Sequence, residues 1–245
     1  GMVYQCYRDG KGYLGELLRR PTDGAYGLRQ YNQPDGSLHP YQVTPYFLKP
    51  DQIIDTGTAV TLLGKSDDED TFTSPPEGEH GVHWLSRYLN GRYYTIPESI
   101  TIKVSSRNNP EQLGDPTYKR RNVRGIKHFL NNYRVESGTV DVTGARMHWW
   151  VLNDTFAKQN YFTNRAHTGS LFQNEIYDLE VSNKTSRSRL NRCGIIHLIN
   201  RIVIYVEPTT EGVTSDPSRM SLLIGQGRKL PWLDWAYGEI ERDFS

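Results

Sequence analysis

Residues 53 to 66, IIDTGTAVTLLGKS, offer two arrangements of side chains that could do chemistry. Asp55 stands behind Ile53-Ile54 and ahead of Thr56-Gly57-Thr58, the surroundings of a carboxylate held on a tight turn. Opposite a second carboxylate it would share a proton and activate a water. The chain has no second Asp-Thr/Ser-Gly, because Asp141-Val142-Thr143-Gly144 carries an extra residue, so a second copy would have to supply the partner. The other arrangement is Ala59 followed after four residues by Gly64-Lys65-Ser66, the loose spacing of a phosphate-cradling loop. Such a loop needs small residues whose amides turn inward and a helix to follow. Val60-Thr61-Leu62-Leu63 favour a strand instead, and Asp67-Asp68-Glu69-Asp70 would repel a triphosphate. The spacing alone therefore does not make a nucleotide site.

Three further groups carry chemical potential. Lys119, Arg120, Arg121, Arg124 and Lys127 concentrate positive charge before and on a helical stretch. They form either a solvated face opposite Val123, Ile126 and Phe129 or a set of phosphate contacts to nucleic acid, whose affinity would fall steeply with salt. His80 and His83, beside Glu79, have the spacing to share a metal but no convincing third ligand. Cys6 and Cys193 are the only cysteines and have no partner at metal-site spacing, which suits reduced core residues. Trp149-Trp150 and Trp232/Trp235 accompany aliphatics at structural periods and are expected in the core.

Elements must position these groups. With 245 residues and 36% hydrophobic content, the chain can build an ordinary core. Lys plus Arg at 29 against Asp plus Glu at 28 gives a net charge of +1, which excludes a global field steering it to nucleic acid or membrane. No apolar run approaches membrane-spanning length and no secretory pattern opens the chain, so the expectation is cytoplasmic with no membrane partner. Residues 2 to 32 read as a β-meander punctuated by Asp9-Gly10, Thr22-Asp23-Gly24 and Pro34-Asp35-Gly36, with further strands near 42 to 47 and 57 to 63. Residues 66 to 80 are acidic and Pro-rich and read as a linker.

Beyond it, Val82, Leu85, Tyr88, Leu89 and Tyr93 fall at helical spacing, and Ile100, Ile102 and Val104 alternate as a strand. A second helix is predicted over Val123 to Tyr133, then paired strands over 135 to 143 and 145 to 152. CGIIHLINRIVIYV, residues 193 to 206, is expected to be β-rich with a bend at Asn200-Arg201. Pro231 suits a first helical position ahead of an apolar face from Trp232 to Phe244. The fold class expected is α+β with largely antiparallel and mixed sheets and a few amphipathic helices. The expected domains are a β-rich piece over 1 to 65, the linker over 66 to 80, and a second α+β domain over 81 to 245.

Gly57-Thr58-Ala59-Val60-Thr61-Leu62 resembles the last nucleotide-box strand of the Bergerat-type, or GHKL, ATPases. The following charged stretch, helix and short apolar strand, HWLSRYLNGRYYTIPESITIKV, are similar to the order in the heat-shock chaperones of that superfamily. CGIIHLINRIVIYVEP resembles the Gly-Ile…Asn-Arg hairpin in the transducer domain of microrchidia-type ATPases. VTSDPSRMSLL falls where that family carries a lysine-bearing loop, with Arg219 in place of the lysine. The resemblance implies that Gly57 permits close approach of adenine, that Thr58 hydrogen-bonds near it, and that Arg219 reaches the γ-phosphate. The family's metal-binding helix, Asp-x-Gly-x-Gly turn and glycine-rich lid do not precede Gly57. The expectation is therefore the distal part of a GHKL ATPase with a transducer-like domain. It would need an upstream ATPase segment to hold ATP and Mg²⁺, would work as a dimer, and would be inactive in hydrolysis alone. The competing expectations are a binding module for nucleic acid or protein without catalysis, and a dimeric aspartic protease using Asp55.

Overall fold

A computed structural model describes residues 1–51, 53–64, 84–104, 121–159, 162–181, 189–195 and 198–236. The chain is α+β and divides into two compact units, Gly1–Thr73 and Ser74–Ser245. The expected acidic linker, His80, His83, Lys119, Arg120 and the chain after Ala236 lie outside the described residues.

The first unit is built on a hairpin of β1 (Met2–Arg8) and β2 (Lys11–Arg19). Asp9 and Gly10 both have positive φ, 52° and 71°, the two-residue turn whose twist matches the flanking strands. β3 (Tyr26–Leu28) pairs with β2, β4 (Tyr31–Asn32) and β5 (Leu38–His39) form a separate ribbon, and β6 (Gln42–Thr44) pairs with the turn end of β2. A 3₁₀ turn over Tyr46–Leu48 precedes β7 (Gly57–Leu62), which runs antiparallel to β1. The sheet order is β3-β2-β1-β7 with β6 beside β2.

The second unit contains α1 (Trp84–Arg92), β8 (Ile102–Val104), β9 (Arg121–Val123) and α2 (Ile126–Tyr133). Next come β10 (Arg134–Val142), β11 (Ala145–Leu152), β12 (His167–Phe172), β13 (Glu175–Val181) and α3 (Arg189–Arg192). β14 (Ile202–Pro208), β15 (Val213–Ser215), β16 (Leu222–Ile224), β17 (Arg228–Lys229) and α4 (Trp232–Trp235) complete it. The central sheet has the order β10-β11-β14-β12-β13, and β14 runs parallel to β12 and antiparallel to β11. β14 is buried on both faces, which is why Ile202 to Val206 read as an unbroken apolar run. Val203 and Tyr205 join the core under α2 with Ile126, Leu130 and Phe162; Ile202, Ile204 and Val206 join the opposite core with Leu190, Trp232 and Trp235.

Three expectations are corrected. α2 begins at Ile126 rather than Val123: Gly125 has φ +78°, Val123 lies in β9, and Asn90 Oδ1 accepts the amides of Arg124 and Gly125 at 2.8 and 3.2 Å. Ile100 lies in a turn, exposed, and β8 starts at Ile102. The expected hairpin after Cys193 does not form among the described residues: Cys193 and Gly194 close a helical turn that continues α3, residues 198–201 form another turn, and of the described residues from 193 to 208 only Ile202–Pro208 is strand. The apolar Cys193 and Ile195 fill the core as loop residues, a burial that in sequence looks the same as strand burial.

Candidate functional site

Each candidate residue is placed within its own unit. In the first, β7 pairs Thr58 with Cys6 and Gly57 with Tyr7. Adjacent residues of a strand face opposite ways. Gly57 therefore faces the side where Tyr7 is fully buried against Tyr46, with ring centroids 6.2 Å apart. A Cβ at Gly57 would lie 2.9 Å from the Ile53 side chain, so the glycine is accounted for by packing within the unit.

Thr58 is exposed on the other face, which pairing across β3, β2, β1 and β7 makes apolar: Met2, Cys6 and Leu17 lie among Tyr4, Leu28, Val60 and Leu62. Tyr4, Leu28, Val60 and Leu62 are 47%, 56%, 50% and 66% exposed. A shallow groove of about 550 Å³ runs along it. Asp55 is exposed in the bend before β7, and the Tyr46 hydroxyl donates to its carbonyl at 2.5 Å.

In the second unit, Arg219 sits on the loop between β15 and β16 with φ +56°. Asp216 builds this loop. Its carboxylate accepts from the Ser218 hydroxyl at 2.7 Å and from the amides of Met220 and Ser221 at 2.8 and 3.2 Å, while its carbonyl accepts from Arg219 N at 2.9 Å. The Ser218 hydroxyl, with these amides, holds the Asp216 carboxyl below its usual range. The Arg219 side chain is 62% exposed and donates to Glu175 Oε1 at 2.8 Å. Glu175 also receives Arg92 at 2.5 Å and the Tyr177 hydroxyl at 3.0 Å. Burial alone would raise the Glu175 pKa, but hydrogen bonds from Arg219, Tyr177 and Arg92 outweigh it and keep the carboxyl below its usual range. One carboxylate thus aligns two guanidinium groups, one largely buried and one presented to solvent.

Of the basic cluster, Arg121 lies in β9, Arg124 is exposed in the connection between β9 and α2, and Lys127 is exposed on the first turn of α2 with Nζ 5.1 Å from the Tyr94 ring centre. His128 beside them is pushed down by burial and by the Arg124 charge.

Sequence reasoning missed a line of polar groups across three strands. Thr139 Oγ1 lies 3.3 Å from His148 Nδ1, and His148 Nε2 lies 3.1 Å from Glu207 Oε2, at the wall of a cleft of about 430 Å³ that Lys127 and Asn131 also line. Hydroxyl, imidazole and carboxylate in line can pass a proton. Their sequence separations of 9 and 59 carry no local signal; only the register of β10, β11 and β14 assembles them. Among the described residues no group of three or more His, Cys, Asp or Glu could hold a metal ion, and no helix is long and apolar enough to cross a membrane.

No protein-family model matches the chain, and neither a curated protein nor a solved structure matches it.

Proposed function

We propose that the chain is the distal portion of a GHKL-type ATP-binding protein, coupling ATP binding and dimerisation to a conformational change without hydrolysing ATP alone. The observation that carries this reading is the apolar face of the first unit on which Thr58 lies, where Tyr4, Leu28, Val60 and Leu62 are exposed. A contiguous exposed apolar face marks a surface that something else covers. A segment preceding residue 1 that brings the helical layer of a nucleotide domain would cover it and would hold ATP against Thr58. That segment would also carry the groups for Mg²⁺ and the adenine amino group. Arg219 supports the same reading, because its loop is internally braced and its guanidinium is exposed, as a group that meets a phosphate from outside must be. Gly57 stays in this reading as the residue that permits close approach of adenine, and Ile53 packs against the same glycine.

The test is to read the coding sequence in frame ahead of Met2, express the extended chain and follow Mg²⁺-dependent ATP turnover. The expected upstream sequence holds a helix with Glu or Asp and Asn, an Asp-x-Gly-x-Gly turn and a glycine-rich lid. Arg219→Ala should lower kcat by roughly 10²-fold, as for loss of one group that stabilises transition-state charge. Turnover by the shorter chain, or an extended chain that fails to bind ATP, overturns the proposal. A second reading rests on the exposure of Arg124 and Lys127: a contact to a nucleic-acid backbone, which Arg124→Ala with Lys127→Ala would weaken and added salt would abolish.

A further inference from the structure

The second unit holds a cleft of about 680 Å³ lined by α1, β13, α3 and the segment from Met220 to Leu233. Arg87, Arg92, Arg189, Arg192 and Lys229 line it, against the carboxylates of Asp178 and Glu180. Asp178 accepts the Leu222 amide at 3.2 Å, and Glu180 accepts the Arg189 amide at 2.6 Å and pairs with the Arg189 guanidinium at 3.6 Å. Five cations against two carboxylates leave the lining with an excess of positive charge. Its walls are apolar: Tyr88, Leu179, Met220 and Leu233 converge there while remaining 53%, 44%, 61% and 49% exposed.

Two of the cations are fixed in place. The Arg92 side chain, 13% exposed, donates to the Ile176 carbonyl at 2.8 Å and to Glu175 and lies 4.2 Å over the Tyr177 ring. The Arg189 side chain, 20% exposed, donates to the Asp178 carbonyl at 2.5 Å and lies 4.5 Å over Trp232. A guanidinium carries five N–H donors, so each of these has donors beyond the ones that position it. These hydrogen bonds and ring contacts hold both side chains in place, which lowers the entropy lost when an anion binds. A volume in the range of small-ligand pockets, apolar walls and a few convergent charges describe a ligand with an apolar body and one anionic head.

We propose that this cleft binds a small amphiphilic anion, with a carboxylate or phosphate head among Arg189, Arg192 and Lys229 and its apolar body along Leu179, Met220 and Leu233. The site does not rest on the ATPase reading.

The test is titration calorimetry of the whole chain with octyl phosphate, octanoate, octanol and inorganic phosphate, all below micelle-forming concentrations. Octyl phosphate or octanoate should bind saturably at one site, and whichever binds more tightly identifies the head group. Octanol should bind about tenfold more weakly or worse, since it lacks the charge, and inorganic phosphate should not displace the amphiphile. Lys229→Glu and Met220→Asp change exposed side chains, so both should weaken binding without altering the melting temperature. Leu28→Asp, on the sheet of the first unit, should leave binding unchanged. The proposal is overturned if none of the amphiphiles binds, if octanol binds as tightly as octyl phosphate, or if inorganic phosphate or a single-stranded oligonucleotide competes equally. Loss of binding in Leu28→Asp with retention in Lys229→Glu would place the ligand on the first unit and overturn it as well.

Discussion

His167 is fully buried, its Nδ1 2.6 Å from the Arg165 carbonyl and its Nε2 2.6 Å from the Tyr205 hydroxyl. A carbonyl can only accept, so Nδ1 carries the proton and Nε2 accepts from Tyr205. Burial lowers the His167 pKa from 6.5 to about 4. The unfolded chain therefore binds a proton between pH 6.5 and about 4 that the folded chain refuses, and stability falls as pH falls through that window, by about 3 kcal/mol in total. His167→Gln should flatten this part of a plot of melting temperature against pH. Glu175, held below its ordinary range, contributes stability that is lost on acidification at lower pH. Asn90 is also buried and caps the chain entering α2 from a distance, so Asn90→Ala should cost about 1–3 kcal/mol in urea unfolding by orphaning two amides. Neither role is legible in the sequence, where both look like ordinary polar residues. What the sequence does show locally is turn chemistry: Asp9-Gly10 announces its own hairpin, and the loop from Asp216 to Ser221 is written in side chains that bond their own backbone.

At the scale of elements, signals that depend on neighbours in sequence survive and those that depend on packing do not. β10 and β11 alternate and stand where the pattern places them, joined through Thr143-Gly144. β14 and residues 193 to 195 are equally apolar, and only the sheet decides that one is strand and the other loop. Gly125 is the sharpest case. A Cβ there would lie 2.6 Å from the Tyr94 carbonyl oxygen, and φ is +78°, so Gly125→Ala should destabilise by more than about 2 kcal/mol and loosen α2 against α1. α4 is held by its tryptophans: Trp232 Nε1 donates to Ser170 at 3.1 Å and Trp235 Nε1 to the Thr143 carbonyl at 3.0 Å. Trp235→Ala should cost about 3–5 kcal/mol, measured by the same unfolding experiment.

For the molecule as a whole, the two units differ in what holds them. Among the described residues, the second has two buried clusters on opposite faces of one sheet, whereas of the large side chains of the first only Tyr7 is fully buried. Calorimetry should show two transitions, the first unit melting at the lower temperature, and whatever covers its apolar face should raise that transition alone. The strand order of the second unit carries a further consequence. β14 is made after β10 to β13 yet lies in the middle, between β11 and β12. During synthesis two finished hairpins must wait with their inner edges open until residue 208 leaves the ribosome. A chain halted before β14 would carry two unsatisfied strand edges, so premature termination there should yield aggregates where termination after β14 leaves the central sheet able to close.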